Sequence, residues 1–212
     1  TGYYENSAFV SLHRTWFSAL PDDCWPDWGL SDESPINPLG KYEWTVFAEN
    51  FVSTLDRVRT YSSESNSESF WGLKDPRSTL ILPFWRSIFN QKLLVVGVYR
   101  TPWDISDAFM RISNSLFRDQ PELVLSSWLS YNESLLSYLE AYPHTCTLFA
   151  SSWLVQDPSQ IIKCFTERWG IEFSQLDQDN DLFKQNHLLG SSDVSALYRL
   201  YSIAYPRIYE VL

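Results

Sequence analysis

A continuous apolar segment followed at once by a helix start most strongly restricts how this chain can fold. Residues 93–99, LLVVGVY, carry no charge, which is typical of a strand covered on both faces in a parallel sheet. The next residues, RTPWD, begin a helix, because Thr101 suits the N-cap, Pro102 the first helical position and Asp104 a capping box. Arg100 is therefore predicted at the carboxyl end of a buried strand, where open α/β sheets bind ligands. A cation beside a helix N-terminus favours an anion such as phosphate; the alternative is an arginine that pairs with a surface carboxylate.

Periodicity along the rest of the chain predicts alternating helices and strands. The predicted helices are 6–20, 41–60, 78–90, 102–117, 121–141 and one from Asp157-Pro158 to Gly170; the predicted strands are a short one in WGLKDPR that ends at Lys74 or Asp75, 93–99 and 145–150. The first two strands and the helix between them form a βαβ unit. Strands that alternate with helices indicate an α/β fold with a mainly parallel sheet. The polar segment YSSESNSES is expected to be a solvated loop, with a lid as the alternative.

Composition restricts the class of partner. The 212 residues suit one domain, 1–212, and an aromatic content of 17% predicts that many rings are buried. A net charge of −10 without a run of Lys or Arg argues against nucleic acid and an anionic membrane surface, although a nucleotide needs only local positive charge. No apolar run approaches the ~20 residues of a membrane span. Cys24, Cys146 and Cys164 form neither a disulfide framework nor a zinc pattern, which favours a reducing, cytoplasmic location.

Five sequence segments, taken in order, resemble one known family. They are GYYENSAFVSLHR at 2–14, WGLKDPR at 71–77, YRTPWDISDAF at 99–109, WLSYN at 128–132 and WLVQDP at 153–158. Their order and spacing resemble the bacterial sulfotransferases that use 3′-phosphoadenylyl sulfate (PAPS), over about residues 2–170. The resemblance implies a P-loop-type α/β fold, a three-layer sandwich with a mainly parallel sheet.

The chain departs from the family pattern at two places. The family's glycine-rich loop, of the HRSGTS kind, should precede GYYEN and is absent. We therefore expect a domain truncated at its N-terminus, without its first strand and phosphosulfate loop and inactive by itself, with 171–212 as a C-terminal extension. The family also places a serine eight residues after the arginine. Here that position is Ala108. Ser106, the hydroxyl assigned to nucleotide binding, lies two residues earlier on a different helix face and is a poor substitute, so weaker 3′-phosphate binding or a changed donor site is expected.

The resemblance implies a role for three charged residues. Arg100 would contact the 3′-phosphate of the donor, for which a bidentate guanidinium is suited. Lys74 would stabilise the negative charge that develops during sulfuryl transfer, and the alternative is a lysine that pairs with Asp75. Glu5 would take the proton of the acceptor hydroxyl, and the alternative is a carboxylate that favours a helix N-terminus. No metal ligand set is expected.

Other polar residues have a structural interpretation. Asp75 is expected to cap the helix that follows Pro76, with Arg77 fixing the same turn. His13 falls on the apolar stripe of the first helix and is expected to be a satisfied core histidine. Trp128 is expected in the core, and Asn132 on the same helix can hydrogen-bond a neighbouring strand end.

The function expected from the resemblance is transfer of a sulfuryl group from PAPS to a hydroxyl acceptor. The family suggests a carbohydrate, such as a polysaccharide, and a fusion to other transferase domains is compatible with it. Two alternatives remain open. One is another P-loop transferase, such as a small-molecule kinase, which would need a Walker lysine and a magnesium-binding acid. The other is a degenerate, non-catalytic interaction module.

Overall fold

The chain divides into two compact units, Thr1–Asn90 and Gln91–Leu212. The computed structural model describes residues 7–17, 46, 48–54, 56, 72–111 and 122–172. Over these residues the protein is a mixed α/β structure that is mostly helical. Glu5, the polar segment after residue 60 and most of the 171–212 extension lie outside the described residues. The prediction that 1–212 forms one domain stays a prediction.

The first unit contains helices and no strand among its described residues, and residues 72–75 belong to neither. Its elements are α1 (Ser7–Phe17), α2 (48–54), a 3-10 helix (Pro76–Ile81) and α3 (Leu82–Phe89). The predicted helices over 6–20 and 41–60 are confirmed where residues are described. Apolar side chains at 3.6-residue spacing bury one face of α1, and this face includes Phe9, His13 and Phe17.

Aromatic rings form the core of the first unit. Phe9 of α1, Phe51 of α2 and Trp85 of α3 are buried together. The rings of Phe51 and Trp85 meet edge to face, with centroids 4.4 Å apart, and the Phe9 ring lies 5.4 Å from Phe51. Such pairs contribute roughly 0.5–1.5 kcal/mol beyond the area they bury. The expectation that many aromatic residues are buried is confirmed in this unit.

The strand predicted at the WGLKDPR segment is wrong over its described part. Residues 72–75 belong to no strand, and the 3-10 helix begins directly after them. Asp75 is the N-cap, as predicted, and its carboxylate accepts the backbone N–H of Arg77 at 3.0 Å. An aspartate cap followed by proline directs the chain into a helix, so the backbone from Pro76 onward does not pair with a neighbouring strand. The predicted βαβ unit from this segment to residues 93–99 is therefore not formed.

The second unit contains a parallel pair of strands. Its elements are β1 (Val95–Tyr99), α4 (Pro102–Arg111), α5 (Glu122–Ala141), β2 (Cys146–Ala150), α6 (Ser151–Gln156) and α7 (Ser159–Trp169). The register runs from Val95 opposite Cys146 to Tyr99 opposite Ala150. Helices α4 and α5 lie in the connection between the two strands, which is the crossover that parallel pairing requires. The prediction of an α/β structure with a parallel sheet is confirmed for this pair of strands.

Gly97 allows α5 to approach β1 closely. A Cβ atom at this buried position would lie 2.7 Å from Leu135 Cδ2 of α5 and 2.7 Å from Leu148 Cδ1 of β2. The neighbouring residue Val98 exposes 52% of its surface. The prediction that this strand is covered on both faces is therefore wrong at Val98.

The C-terminal end of helix α7 agrees with the sequence prediction, whereas its start lies one residue later than predicted: Pro158 is the N-cap and Ser159 the first helical residue. Asp157 lies just before this start, and its carboxylate accepts the backbone N–H of Ser159 at 3.1 Å. Gly170 has φ 65°, and its N–H donates to the Thr166 carbonyl at 3.1 Å. A left-handed residue at this position is the usual helix stop and favours glycine. None of the described helices combines the length and apolar character that crossing a membrane requires.

We expect Gly97→Val to lower the free energy of unfolding by about 1–3 kcal/mol, because two leucine side chains occupy the space that the new side chain needs. Gly72→Ala is the matched control, since no atom lies within 4 Å of its added Cβ, and we expect a change within about 0.5 kcal/mol. Urea denaturation followed by circular dichroism measures both. Equal effects of the two substitutions would contradict the close approach of α5 to β1.

Candidate functional site

A capping-box-like pair of Thr101 and Asp104, called the capping box below, makes the turn from β1 into α4. Thr101 Oγ1 accepts the backbone N–H of Asp104 at 3.4 Å and donates to Asp104 Oδ2 at 2.7 Å. Pro102 is the first residue of the helix and is fully buried. The sequence prediction for all three residues is confirmed. These local contacts fix the direction in which the chain leaves the strand.

Arg100 lies between the strand and this capping box. Its carbonyl oxygen accepts the indole N–H of Trp128, a residue of α5, at 2.7 Å. Trp128 is buried beside Leu125, and Ile105 of α4 packs against both. Helix α5 therefore holds the Arg100 backbone in place from a position 28 residues away in the chain.

Sequence reasoning placed Trp128 in the core but missed its polar contact. Asn132 was expected to reach a strand end; its side-chain amide instead donates to the Trp128 carbonyl at 2.7 Å, within α5. The sequence could have predicted that Trp128 makes a hydrogen bond, because a buried indole N–H is a donor that needs an acceptor. The acceptor itself, the Arg100 carbonyl, follows only from the packing of α5 beside β1.

The side chain of Arg100 is half-buried. Among the residues that the structure describes, no carboxylate forms an ion pair with its guanidinium. Because Tyr99 pairs with Ala150, Arg100 and Ser151 follow the two parallel strands at the same edge of the sheet. This edge combines a guanidinium with the first turns of two helices, an arrangement suited to an anion.

Ser106 lies one turn into α4. Its hydroxyl donates to the Pro102 carbonyl at 2.9 Å, and its side chain is half-buried. Arg100 and Ser106 are thus on the same junction between β1 and α4. The hydroxyl already has an acceptor within its own helix, so a nucleotide phosphate would have to compete for it.

A second polar cluster lies in the first unit, around Asp75. His13 Nδ1 lies 2.6 Å from Asp75 Oδ2, and Arg77 Nη1 donates to Asp75 Oδ1 at 3.0 Å. The side chains of His13 and Asp75 are both fully buried. An ionised carboxylate can only accept hydrogen bonds, so with Asp75 ionised the His13 Nδ1–H donates to it. The prediction of a core histidine is confirmed, and its partner is the capping aspartate.

The environment of Asp75 lowers the pKa of its carboxyl group below the ordinary value of 3.8. Burial acts in the opposite direction, since it disfavours the charged form. The hydrogen bond and charge of His13 outweigh burial, together with the backbone N–H and charge of Arg77. Asp75 is therefore a buried carboxylate whose ionised form is stabilised by its neighbours.

Lys74 directly precedes this buried carboxylate and has an exposed side chain. It belongs to the first unit, whereas Arg100 and Ser106 belong to the second. The other predicted catalytic residue, Glu5, lies outside the described residues. Of the four predicted site residues, Arg100 and Ser106 both belong to the junction between β1 and α4.

The cysteines and histidines of the second unit have separate surroundings. Burial raises the pKa of the Cys146 thiol to about 11, although the charge of Arg168 acts against this rise. The Cys164 thiol lies 3.6 Å from the Thr147 hydroxyl, and the His144 side chain is exposed. Within the described ranges, no group of three or more His, Cys, Asp or Glu side chains is placed to hold a metal ion.

Comparison of the chain with protein-family models, with curated proteins and with solved structures gives no match. The assignment of function therefore depends on the sequence resemblance and on the geometry of the two clusters.

We expect acid to weaken the fold through Asp75. Its folded-state pKa is lower than its unfolded-state pKa, so its contribution to stability is complete above about pH 4 and is lost as pH falls through the lower, folded-state value. Urea denaturation at a series of pH values below 5 measures the slope of stability against pH. Asp75→Asn should flatten this slope, and an unchanged slope would show that the carboxylate is not stabilised as described.

Proposed function

We propose that the chain is a sulfotransferase domain that transfers a sulfuryl group from PAPS to a hydroxyl acceptor, with a carbohydrate as the expected acceptor class. The observation that carries the proposal is the position of Arg100. It follows a parallel strand, its backbone is held by Trp128, and its guanidinium forms no ion pair with a described carboxylate. The proposal includes a P-loop-type three-layer sandwich in which β1 and β2 are neighbouring strands.

The donor's 3′-phosphate would bind at the carboxyl edge of β1. A guanidinium offers two parallel N–H donors to two phosphate oxygens, which a single ammonium does not. The anchored carbonyl of Arg100 and the capping box of Thr101 restrain the backbone on both sides of this side chain. A restrained guanidinium loses less conformational freedom on binding, which favours affinity.

The reaction is an in-line displacement at sulfur. The acceptor oxygen forms a bond to sulfur, the bond from sulfur to the bridging phosphate oxygen breaks, and adenosine 3′,5′-bisphosphate leaves with the electron pair. The Lys74 ammonium would stabilise the charge on the bridging oxygen, and the Glu5 carboxylate would take the acceptor proton. No metal is needed in this scheme. The donor is a small-molecule nucleotide, and the cytoplasm is the expected location.

Replacement of Arg100 tests the donor site. We expect Arg100→Ala to weaken binding of adenosine 3′,5′-bisphosphate by roughly 1–3 kcal/mol, as for a hydrogen-bonded charged contact, with little effect on adenosine 5′-monophosphate. Calorimetric titration of the full chain without magnesium measures both affinities.

Arg168→Ala is the matched control for this experiment. It removes the same charge from α7. The Arg168 guanidinium contacts the Pro143 carbonyl, three residues before β2 begins. It therefore lies at the amino end of the strands, whereas Arg100 lies at their carboxyl end. The proposal would be contradicted if the two substitutions weakened binding equally, or if Arg100→Ala had no effect.

Replacement of Lys74 tests the catalytic assignment. Lys74→Ala should lower kcat far more than donor affinity, because the charge it stabilises develops only in the transition state. Lys163→Ala, which removes another exposed ammonium, is the control and should leave kcat unchanged. A PAPS turnover assay of the complete protein measures both, and an equal loss of kcat and donor affinity in Lys74→Ala would indicate a structural lysine.

A further inference from the structure

The chain contains two Asp-Pro helix starts, and only one of them has a buried aspartate. Asp157 is exposed, and its carboxylate accepts bonds from the nearby Ser159 and Gln160. Asp75 caps its helix in the same way through Arg77, but its second oxygen is buried and bonded to His13, 62 residues away. The bond from the aspartate to the backbone two residues later does not require that second contact, as Asp157 shows. The bond from His13 to Asp75 is therefore not part of the helix start; it stabilises the buried carboxylate and links it to α1.

His13 uses only one of its two ring nitrogens. Nδ1 bonds to Asp75, whereas Nε2 is buried and has no hydrogen-bond partner. The ring also meets Trp85 edge to face, with centroids 5.6 Å apart. An apolar ring at this position would fill the same space without leaving a buried nitrogen unbonded. Among the described residues, the polar contact of His13 is therefore the one to the aspartate that follows Lys74.

This contact fixes the turn that carries Lys74. The carboxylate of Asp75 is restrained by His13 on one oxygen and by Arg77 on the other. Because Pro76 follows, the backbone after Asp75 is also restricted in φ. Helix α1 thus restrains the residue immediately after Lys74, while the Lys74 side chain stays exposed.

We propose that His13 is a positioning residue, which acts through Asp75 to set the place of the Lys74 ammonium. The inference rests on the proposed function, in which Lys74 stabilises the leaving oxygen. His13 itself touches neither donor nor acceptor in this scheme. Its effect on the reaction is therefore indirect, through the geometry of the turn.

Three substitutions separate positioning from stability. His13→Phe keeps the ring volume and removes the donor to Asp75. His13→Asn places a side-chain N–H where Nδ1 lies and retains the donor. Phe9→Leu removes an aromatic contact from the same helix and core without touching Asp75.

Steady-state PAPS turnover by the complete protein, which includes the phosphosulfate loop that the proposed function requires, is the first measurement. His13→Phe should lower kcat by about ten- to a hundredfold with little change in the KM for the donor, because a small misplacement of a catalytic group has effects of this size. His13→Asn should recover most of the kcat, and Phe9→Leu should lower thermal stability without a comparable loss of kcat. The proposal is overturned if Phe9→Leu lowers kcat as much as His13→Phe, or if His13→Asn does not recover it.

The second measurement does not depend on activity. Trace acetylation of the native chain, quantified by peptide mass spectrometry, gives the reactivity of the Lys74 amine relative to that of Lys163. His13→Phe should change this ratio, and His13→Asn should restore it. An unchanged ratio in His13→Phe overturns the positioning role. If the complete wild-type protein does not turn over PAPS while the ratio responds as expected, the proposed function fails and the effect of His13 on Lys74 stands.

A folding defect is detected by circular dichroism before either measurement. If His13→Phe does not fold, His13→Gln replaces it, because its amide extends one bond too far to occupy the Nδ1 position. The same outcomes then support or overturn the proposal.

Discussion

Parallel pairing of β1 with β2 is the constraint on which the second unit depends. Two parallel strands require a long crossover, and α4 and α5 supply it. The pairing also places the carboxyl ends of both strands at one edge, because Tyr99 lies opposite Ala150. Arg100 comes directly after this point. The strand direction therefore places the half-buried Arg100 side chain and the start of α4 at the edge of the sheet where both strands end.

Each unit also has a hydrogen bond that joins two residues far apart in the chain, next to or at a predicted site residue. Trp128 of α5 holds the carbonyl of Arg100, and His13 of α1 holds the carboxylate of Asp75. In the first case a buried donor bonds the residue before a helix cap, and in the second it bonds the cap itself. Because both hydrogen bonds are buried, loss of either partner would leave a donor or acceptor in the interior without a hydrogen bond, which costs about 1–3 kcal/mol. The backbones beside Arg100 and Lys74 are thereby fixed by distant parts of the chain.

The candidate site could be predicted where its causes are local. The capping box of Thr101 and the cap of Asp75 each follow from residue types within three positions, and both are confirmed. The strand expected to end at Lys74 or Asp75 is wrong, because a short apolar segment suits a strand only if a neighbour pairs with it. The cap and Pro76 instead turn the chain into a helix. Local chemistry here outweighed the weak strand signal.

The sequence by itself determined the helix caps, the apolar strand at 95–99, the buried aromatic rings of the first unit and the position of Arg100 directly after a strand. These depend on neighbours in the chain or on simple periodicity. Only the tertiary structure decided that Trp128 bonds Arg100 and that His13 bonds Asp75. The physical reason is that such contacts join residues 28 and 62 positions apart, and their partners are set by how helices pack.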